Sequence, residues 1–211
     1  MRKKPNLGPR MERCAAVLVA APEENRGGWA ARFPACDAIH LELGCGKGRF
    51  TAETARREPR NLLLAVERVP DAMVIAMERV TAEQIPNVRF LDRDAATLPD
   101  VFAPSEISRI YINFPDPWPK KKQFKRRLTA PAFLALYRAL LPPEGEIHFK
   151  TDNVPLFDWS VEQFTHDGWI LRELTRDLHA DGPVGVMTDY EERFYGQGVP
   201  IKRLVAVRPC A

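Results

Sequence analysis

The chain has 211 residues, 45% of them hydrophobic and 28% charged, a globular balance that excludes a disordered or fibrous protein. No stretch approaches the roughly 18–20 consecutive apolar residues a membrane span needs, so no transmembrane helix and no membrane partner are expected. Cys14, Cys36, Cys45 and Cys210 stand far apart without a C-x-x-C pair, which favours reduced thiols in a cytoplasm over a zinc site or a disulfide framework.

The formal net charge of +3 is unevenly spread. Residues 120–127 read Lys-Lys-Lys-Gln-Phe-Lys-Arg-Arg, and without these six basic residues the rest carries 25 basic against 28 acidic side chains. A second basic cluster comprises Arg2, Lys3, Lys4, Arg10 and Arg13. A basic run by itself is most simply a solvated face. The position of this one, after an apolar strand and a proline-rich turn, argues against a free tail. Cys14–Ala21 is apolar but only eight residues long, half of them alanine, a poor secretory signal. A short helix or a flexible basic arm is expected instead.

In chain order, Ile39–Leu43 is an apolar run ending in Gly44-Cys45-Gly46-Lys47-Gly48, with helical spacing from Phe50. Leu62–Val66 is unbroken and apolar, as in a strand buried on both faces of a parallel sheet. Pro70 opens a helix over Asp71–Val80, and Val88–Leu91 and Arg109–Phe114 are further strands. Thr129 is the expected N-cap of a helix ended by Pro142-Pro143. Strand Glu146–Phe149, helix Val154–Phe164 and strands near Trp169–Leu174 and Ile201–Val207 complete the pattern. Strands alternating with helices imply a doubly wound α/β sheet.

Glu42-x-Gly44-x-Gly46-x-Gly48 lies between a strand and a helix, where glycines let the backbone turn sharply and approach a ligand. A dinucleotide enzyme would show G-x-G-x-x-G. A carboxylate two residues before the first glycine would repel a pyrophosphate and attract an ammonium group. That favours S-adenosylmethionine, a cation at both its ammonium and its sulfonium. Glu67, at the end of the second strand, is placed to accept hydrogen bonds from both ribose hydroxyls. Asp94, after the third, is placed to receive the adenine amino group. Each acid alone could be a mere exposed strand end.

Asn113-Phe114-Pro115-Asp116-Pro117-Trp118-Pro119 follows the fourth strand, with prolines on both sides of Asp116 restricting the backbone. Trp118 offers a flat face for a base, or is simply a core residue of a rigid loop. His40, His148, His166 and His179 lack metal-ligand spacing, and Cys45 has no paired base, so neither metal nor thiol chemistry is expected.

Asn113–Arg127, together with His148-Phe149-Lys150-Thr151-Asp152-Asn153, Asp177-Leu178-His179 and Thr188-Asp189-Tyr190-Glu191-Glu192-Arg193-Phe194, resembles the bacterial tRNA (guanine-N7-)-methyltransferase family, colinearly from about Gly28 to Val207. The resemblance implies a Rossmann-like, class I S-adenosylmethionine-dependent methyltransferase fold: a mostly parallel, doubly wound α/β sheet with an antiparallel C-terminal strand. Residues 1–27 would be a basic arm or short helix and 28–211 a single methyltransferase domain. It implies methyl transfer to N7 of a tRNA variable-loop guanosine, with S-adenosylhomocysteine as product and no metal. Glu42, Gly44, Gly46, Gly48, Glu67, Asp94 and Asp116 would bind the cofactor, and Asp116 would also be catalytic. Lys120, Lys122, Gln123, Phe124, Lys125, Arg126, Arg127, Asp152, Thr188, Asp189, Tyr190 and Glu191 would bind tRNA. Lys122-Gln123 departs from the family's usual Arg-His, exchanging a forked phosphate contact for a point charge. His179 matches the pattern without an evident physical role. A monomer or weak homodimer in the cytoplasm is expected.

A same-fold methyltransferase for a protein or small molecule would explain the cofactor acids but not the basic run. A nicotinamide-dependent oxidoreductase is disfavoured by the glycine spacing, and an RNA-binding subunit without turnover by retention of the acids.

Overall fold

The computed structural model describes residues 6–210. The chain divides into two compact units between Ala103 and Pro104. In the first, α1 (Leu7–Arg13) and α2 (Trp29–Arg32) precede β1 (Ala38–Leu43), α3 (Arg49–Arg57), β2 (Asn61–Val66), α4 (Pro70–Ala82), β3 (Val88–Leu91) and α5 (Leu98–Val101). The strands lie in the order β3-β2-β1, all parallel. Leu62, Leu63 and Leu64 of β2 are almost fully buried, each contributing roughly 1.5–3 kcal/mol of transfer free energy. Pro70 starts α4 at a position where a missing N–H costs nothing.

The N-terminal segment is fastened to this unit. Arg10 makes a two-pronged ion pair with Glu78 of α4, Nε to Oε1 at 2.7 Å and Nη2 to Oε2 at 2.5 Å. The Val19 N–H donates to the Phe90 carbonyl at 3.0 Å, and Leu18 forms a parallel bridge with Phe90 of β3. Residues 7–25 therefore belong to the same unit as β1, β2 and β3. Arg2, Lys3 and Lys4 lie outside the described residues.

The second unit comprises β4 (Arg109–Asn113), a 3-10 segment (Lys121–Arg126), α6 (Pro131–Leu140), β5 (Glu146–Thr151), α7 (Val154–His166), β6 (Ile170–Thr175), α8 (Asp189–Tyr195) and β7 (Lys202–Val207). Its strands run β4-β5-β7-β6, with β4 and β5 parallel and β7 antiparallel to both its neighbours. The seven strands are thus mostly parallel with an antiparallel C-terminal strand, the α/β class expected. Phe149 of β5 stacks on Phe157 of α7 with centroids 6.1 Å apart, and Asn153 caps α7 by accepting from Leu156 N–H at 2.8 Å. Thr129 is not an N-cap: α6 starts after Ala130, and the buried Thr129 hydroxyl instead pairs with Ser160 at 2.7 Å. No helix among the described residues is long and apolar enough to cross a membrane.

Candidate functional site

In the first unit the glycine turn links β1 to α3. Gly44, Gly46 and Gly48 have φ of 79°, 56° and 76°, a region where a Cβ is strained. A Cβ added at Gly44 or Gly46 would meet nothing within 4 Å. At Gly48 it would lie 2.5 Å from the Ala76 Cβ, so this glycine lets α3 approach α4. Two open glycines and one packing glycine leave bare backbone facing free space, as a close-lying ligand requires.

Glu42, at the end of β1, is 1% exposed. Its Oε2 accepts from the Thr51 hydroxyl in the first turn of α3 at 2.6 Å. A desolvated carboxylate held this way suits the ammonium of S-adenosylmethionine. Glu67 is already partnered: Oε2 accepts from Gly46 N–H at 3.0 Å, and Oε1 from Arg68 and Val69 N–H at 2.8 and 2.9 Å. With about four acceptor directions per carboxylate, one remains, enough for a single ribose hydroxyl in this arrangement and not for the two expected. Asp94 caps the following turn through Ala96 N–H at 2.9 Å and pairs with Arg68 at 2.6 Å, which leaves acceptor directions for an adenine amino group. Burial, reinforced by Glu42 and Glu67, pushes the Cys45 thiol well above its ordinary pKa, keeping it un-ionised and poorly nucleophilic.

In the second unit the turn after β4 carries two non-glycine residues with positive φ, Phe114 at 51° and Trp118 at 41°, each costing on the order of 1–3 kcal/mol unless held by its surroundings. Phe114 N–H donates to the Lys150 carbonyl at 2.8 Å. Asp116 is exposed between its prolines. The 3-10 segment exposes Lys121, Lys122, Lys125 and Arg126, with Lys120 exposed just before it, while Gln123 and Phe124 are half-buried. Arg126 lies 4.6 Å from the centroid of the Trp118 ring, so one face of that ring already holds a cation.

Arg127 differs from its neighbours. It is 3% exposed, and its Nε and Nη2 donate to the Pro117 and Trp118 carbonyls at 2.9 and 3.3 Å. Of the six basic residues in the run, Arg127 alone turns inward.

Asp152, at the end of β5, and Tyr190, on α8, are close enough for the Asp152 charge to raise the tyrosine pKa, after the larger effect of burial. Phe114 places its ring 5.1 Å from that of Tyr190. The turn, the β5 tip and α8 thus converge within this unit, with Asp189 and Tyr190 exposed. Both Glu191 oxygens are already engaged by protein partners. The residue is fully buried, accepting from Lys150 Nζ at 2.5 Å and lying 3.0 Å from His179 Nε2. It also closes a capping box with Thr188, whose hydroxyl accepts from Glu191 N–H at 2.9 Å. His179 Nδ1 accepts from Val184 N–H at 3.2 Å, which leaves the Nε2 hydrogen to donate to Glu191. This gives His179 its role. Thr51 was missed by sequence reasoning, and Lys150 stood there only as part of the resemblance, since nothing local marks their partners Glu42 and Glu191.

A family model described as a putative methyltransferase matches residues 37–204. The tRNA (guanine-N(7)-)-methyltransferase of Listeria monocytogenes is 41% identical over 207 residues, covering 98% of this chain and 97% of its own. Those of Lachnoclostridium phytofermentans (45%, 90% of each chain) and Geobacillus thermodenitrificans (41%, 99% and 97%) are similarly alike. Among solved structures, the 16S rRNA methyltransferase KamB superposes with a TM-score of 0.66 at 18% identity, covering 84% of this chain and 90% of its own. A 16S rRNA (adenine(1408)-N(1))-methyltransferase mutant from Catenulisporales acidiphilia with its cosubstrate gives 0.64 at 18% identity, covering 90% and 92%. At that identity the likeness concerns the fold.

Proposed function

The chain belongs to the tRNA (guanine-N(7)-)-methyltransferase family, and from that premise we propose that it methylates N7 of a guanosine in the variable loop of tRNA, with S-adenosylmethionine as donor. When bound, the cofactor supplies an electrophilic methyl group on a sulfonium. Glu42, set by Thr51, would hold its ammonium; Gly44 and Gly46 would give it room; Glu67 would take a ribose hydroxyl; Asp94 would receive the adenine edge. Guanine N7 would take the methyl group with its own lone pair as the methyl–sulfur bond breaks and S-adenosylhomocysteine leaves, so no side chain has to remove a proton. The residues of the second unit act by positioning and by electrostatics. Asp116 supports the positive charge that develops on the base or hydrogen-bonds its N1–H and amino edge. Lys120, Lys121, Lys122, Lys125 and Arg126 hold phosphates without reading sequence. Asp152, Asp189 and Tyr190 flank the substrate, while Thr188 and Glu191 act through the structure of α8. The enzyme works in the cytoplasm as a monomer or weak homodimer.

The observation that carries this reading is the exposed basic segment that follows the Asp116 turn directly. The deciding measurement is transfer of labelled methyl from S-adenosylmethionine to unmodified tRNA, with nucleoside analysis of the product. Label in 7-methylguanosine is the expected result. Label found only in protein or a small molecule would move the assignment to another methyltransferase of the same fold.

A further inference from the structure

We propose that Arg127 is a positioning residue that sets the shape of the turn carrying Asp116, and does not contact RNA phosphate. The inference rests on the proposed role of that turn in methyl transfer to tRNA, and its evidence lies within the second unit.

The turn cannot stabilise itself. Pro115, Pro117 and Pro119 have no N–H to donate, and Trp118 sits at a φ of 41°. The Pro117 and Trp118 carbonyls, which flank the strained Trp118 just after Asp116, accept instead from the fork of Arg127. The fork is itself held in place. Its guanidinium carbon lies 3.6 Å from the Phe124 ring centroid and 4.5 Å from that of Trp159 on α7. Burial lowers the arginine pKa from its ordinary value, yet the group remains a cation. It stays buried although Nη1 has no hydrogen-bond partner, a cost that marks the two carbonyls as what the fork serves. To reach a phosphate, Arg127 would have to leave both rings and both carbonyls at once. The adjacent Arg126 has the same chemistry but is exposed. The basic run is therefore divided in use, its outer cations for RNA and its last for the turn.

The test compares Arg127→Lys, Arg127→Met, Trp159→Leu and, as a phosphate-contact reference, Lys125→Gln. Each is followed by kcat and KM for tRNA, by tRNA affinity across salt concentrations, and by amide hydrogen exchange over residues 112–124. Both Arg127 variants should lose 10- to 100-fold in kcat and speed exchange in the turn, with tRNA affinity within twofold and the salt slope unchanged. Lysine should not rescue, because it keeps the charge but lacks the fork. Lys125→Gln should weaken tRNA binding and flatten the slope by about 0.7. Trp159→Leu keeps the arginine while removing one stacking face, and carries the test if the Arg127 variants do not fold. It should speed turn exchange and lower kcat. The inference is overturned if Arg127→Met flattens the salt slope like Lys125→Gln while turn exchange stays unchanged. Arg127→Lys with wild-type kcat, or Trp159→Leu with unchanged exchange and kcat, would also overturn it. A wild-type enzyme that fails to methylate tRNA would refute the proposed function separately, with hydrogen exchange still deciding on the clamp.

Discussion

Lys150 at the end of β5 and Glu191 on α8 form an ion pair 2.5 Å long, with the lysine side chain 9% exposed and the carboxylate fully buried. The lysine also donates to the Val186 carbonyl at 3.0 Å, and His179 takes the second carboxylate oxygen. The three side chains fasten the loop before α8, and α8 itself, to the strand that ends next to Asp152.

Removing the acid from this cluster should destabilise the fold more than it disturbs chemistry. Breaking a buried pair costs roughly 3–5 kcal/mol; the remaining bond from Lys150 to Val186 places Glu191→Ala at about 3. At roughly 2–4 °C per kcal/mol for a protein this size, Tm should fall by about 6–12 °C in a calorimetric scan. A fall of less than about 2 °C would show that the pair is not a structural tie.

The glycine turn separates packing from binding. Gly48→Ala places a Cβ 2.5 Å from the Ala76 Cβ at a φ of 76°, and should cost roughly 2–4 kcal/mol in the ligand-free protein. Gly46→Ala meets open space and should cost only about 1 kcal/mol, from backbone strain. It should nevertheless weaken S-adenosylmethionine binding at least tenfold in a calorimetric titration. Equal losses of stability in the two variants would contradict the division of roles.

The parts legible in the sequence are those whose cause is local. Leu62–Val66 shows as a strand because an unbroken apolar run has few other places in a parallel sheet, Val88–Leu91 because three of its four residues are apolar and buried, and Glu42, Glu67 and Asp94 stand out because each lies at or shortly after the carboxyl end of a strand. β5, expected to end at Phe149, runs on to Thr151. Lys150 looks like a strand exit until Glu191, 41 residues later, supplies the charge that lets it be buried. Arg10 looked like part of a basic arm for the same reason, its partner Glu78 being 68 residues away. Arg126 and Arg127 are chemically identical in sequence, and only the rings of Phe124 and Trp159 decide which of them points inward.

Acid should weaken the second unit in two stages. Glu146 of β5 is held down to a pKa of about 2, first by its hydrogen bond to His148 and then by the Arg109 charge, against the opposing effect of burial. Burial, the largest influence, lowers the His148 pKa. Both folded-state values lie below their unfolded ones, so both contributions are present at high pH and lost as pH falls. The histidine contribution fades below about 6.5, and the carboxylate contribution between about 4.3 and 2. After screening at the half-buried start of β5, the second stage amounts to roughly 1–2 kcal/mol. Denaturant titrations from pH 7 to 3 should show this slope, and Glu146→Gln should flatten it below pH 4.3; an unchanged slope in the variant would remove Glu146 from the account.

Asp116→Asn keeps the shape of the carboxylate and removes its charge. The side chain is exposed between two prolines whose geometry Arg127 holds from behind, so the substitution should leave the turn and the melting temperature unchanged. The positive charge that forms on guanine as N7 takes the methyl group would lose its nearest anion. A loss of about 100-fold in kcat is expected, near 2.7 kcal/mol of transition-state stabilisation, with KM for tRNA changed by less than threefold because the proposed phosphate contacts lie on other residues. Near-normal turnover would eliminate the electrostatic role. A tRNA carrying inosine at the target position separates the two roles open to Asp116. Inosine retains N7 and lacks the exocyclic amino group. If the carboxylate works through charge, inosine reacts nearly as fast as guanosine with the wild-type enzyme and loses the same factor in Asp116→Asn. If the carboxylate works by gripping the amino edge, inosine is slow with the wild-type enzyme and the substitution adds little further loss.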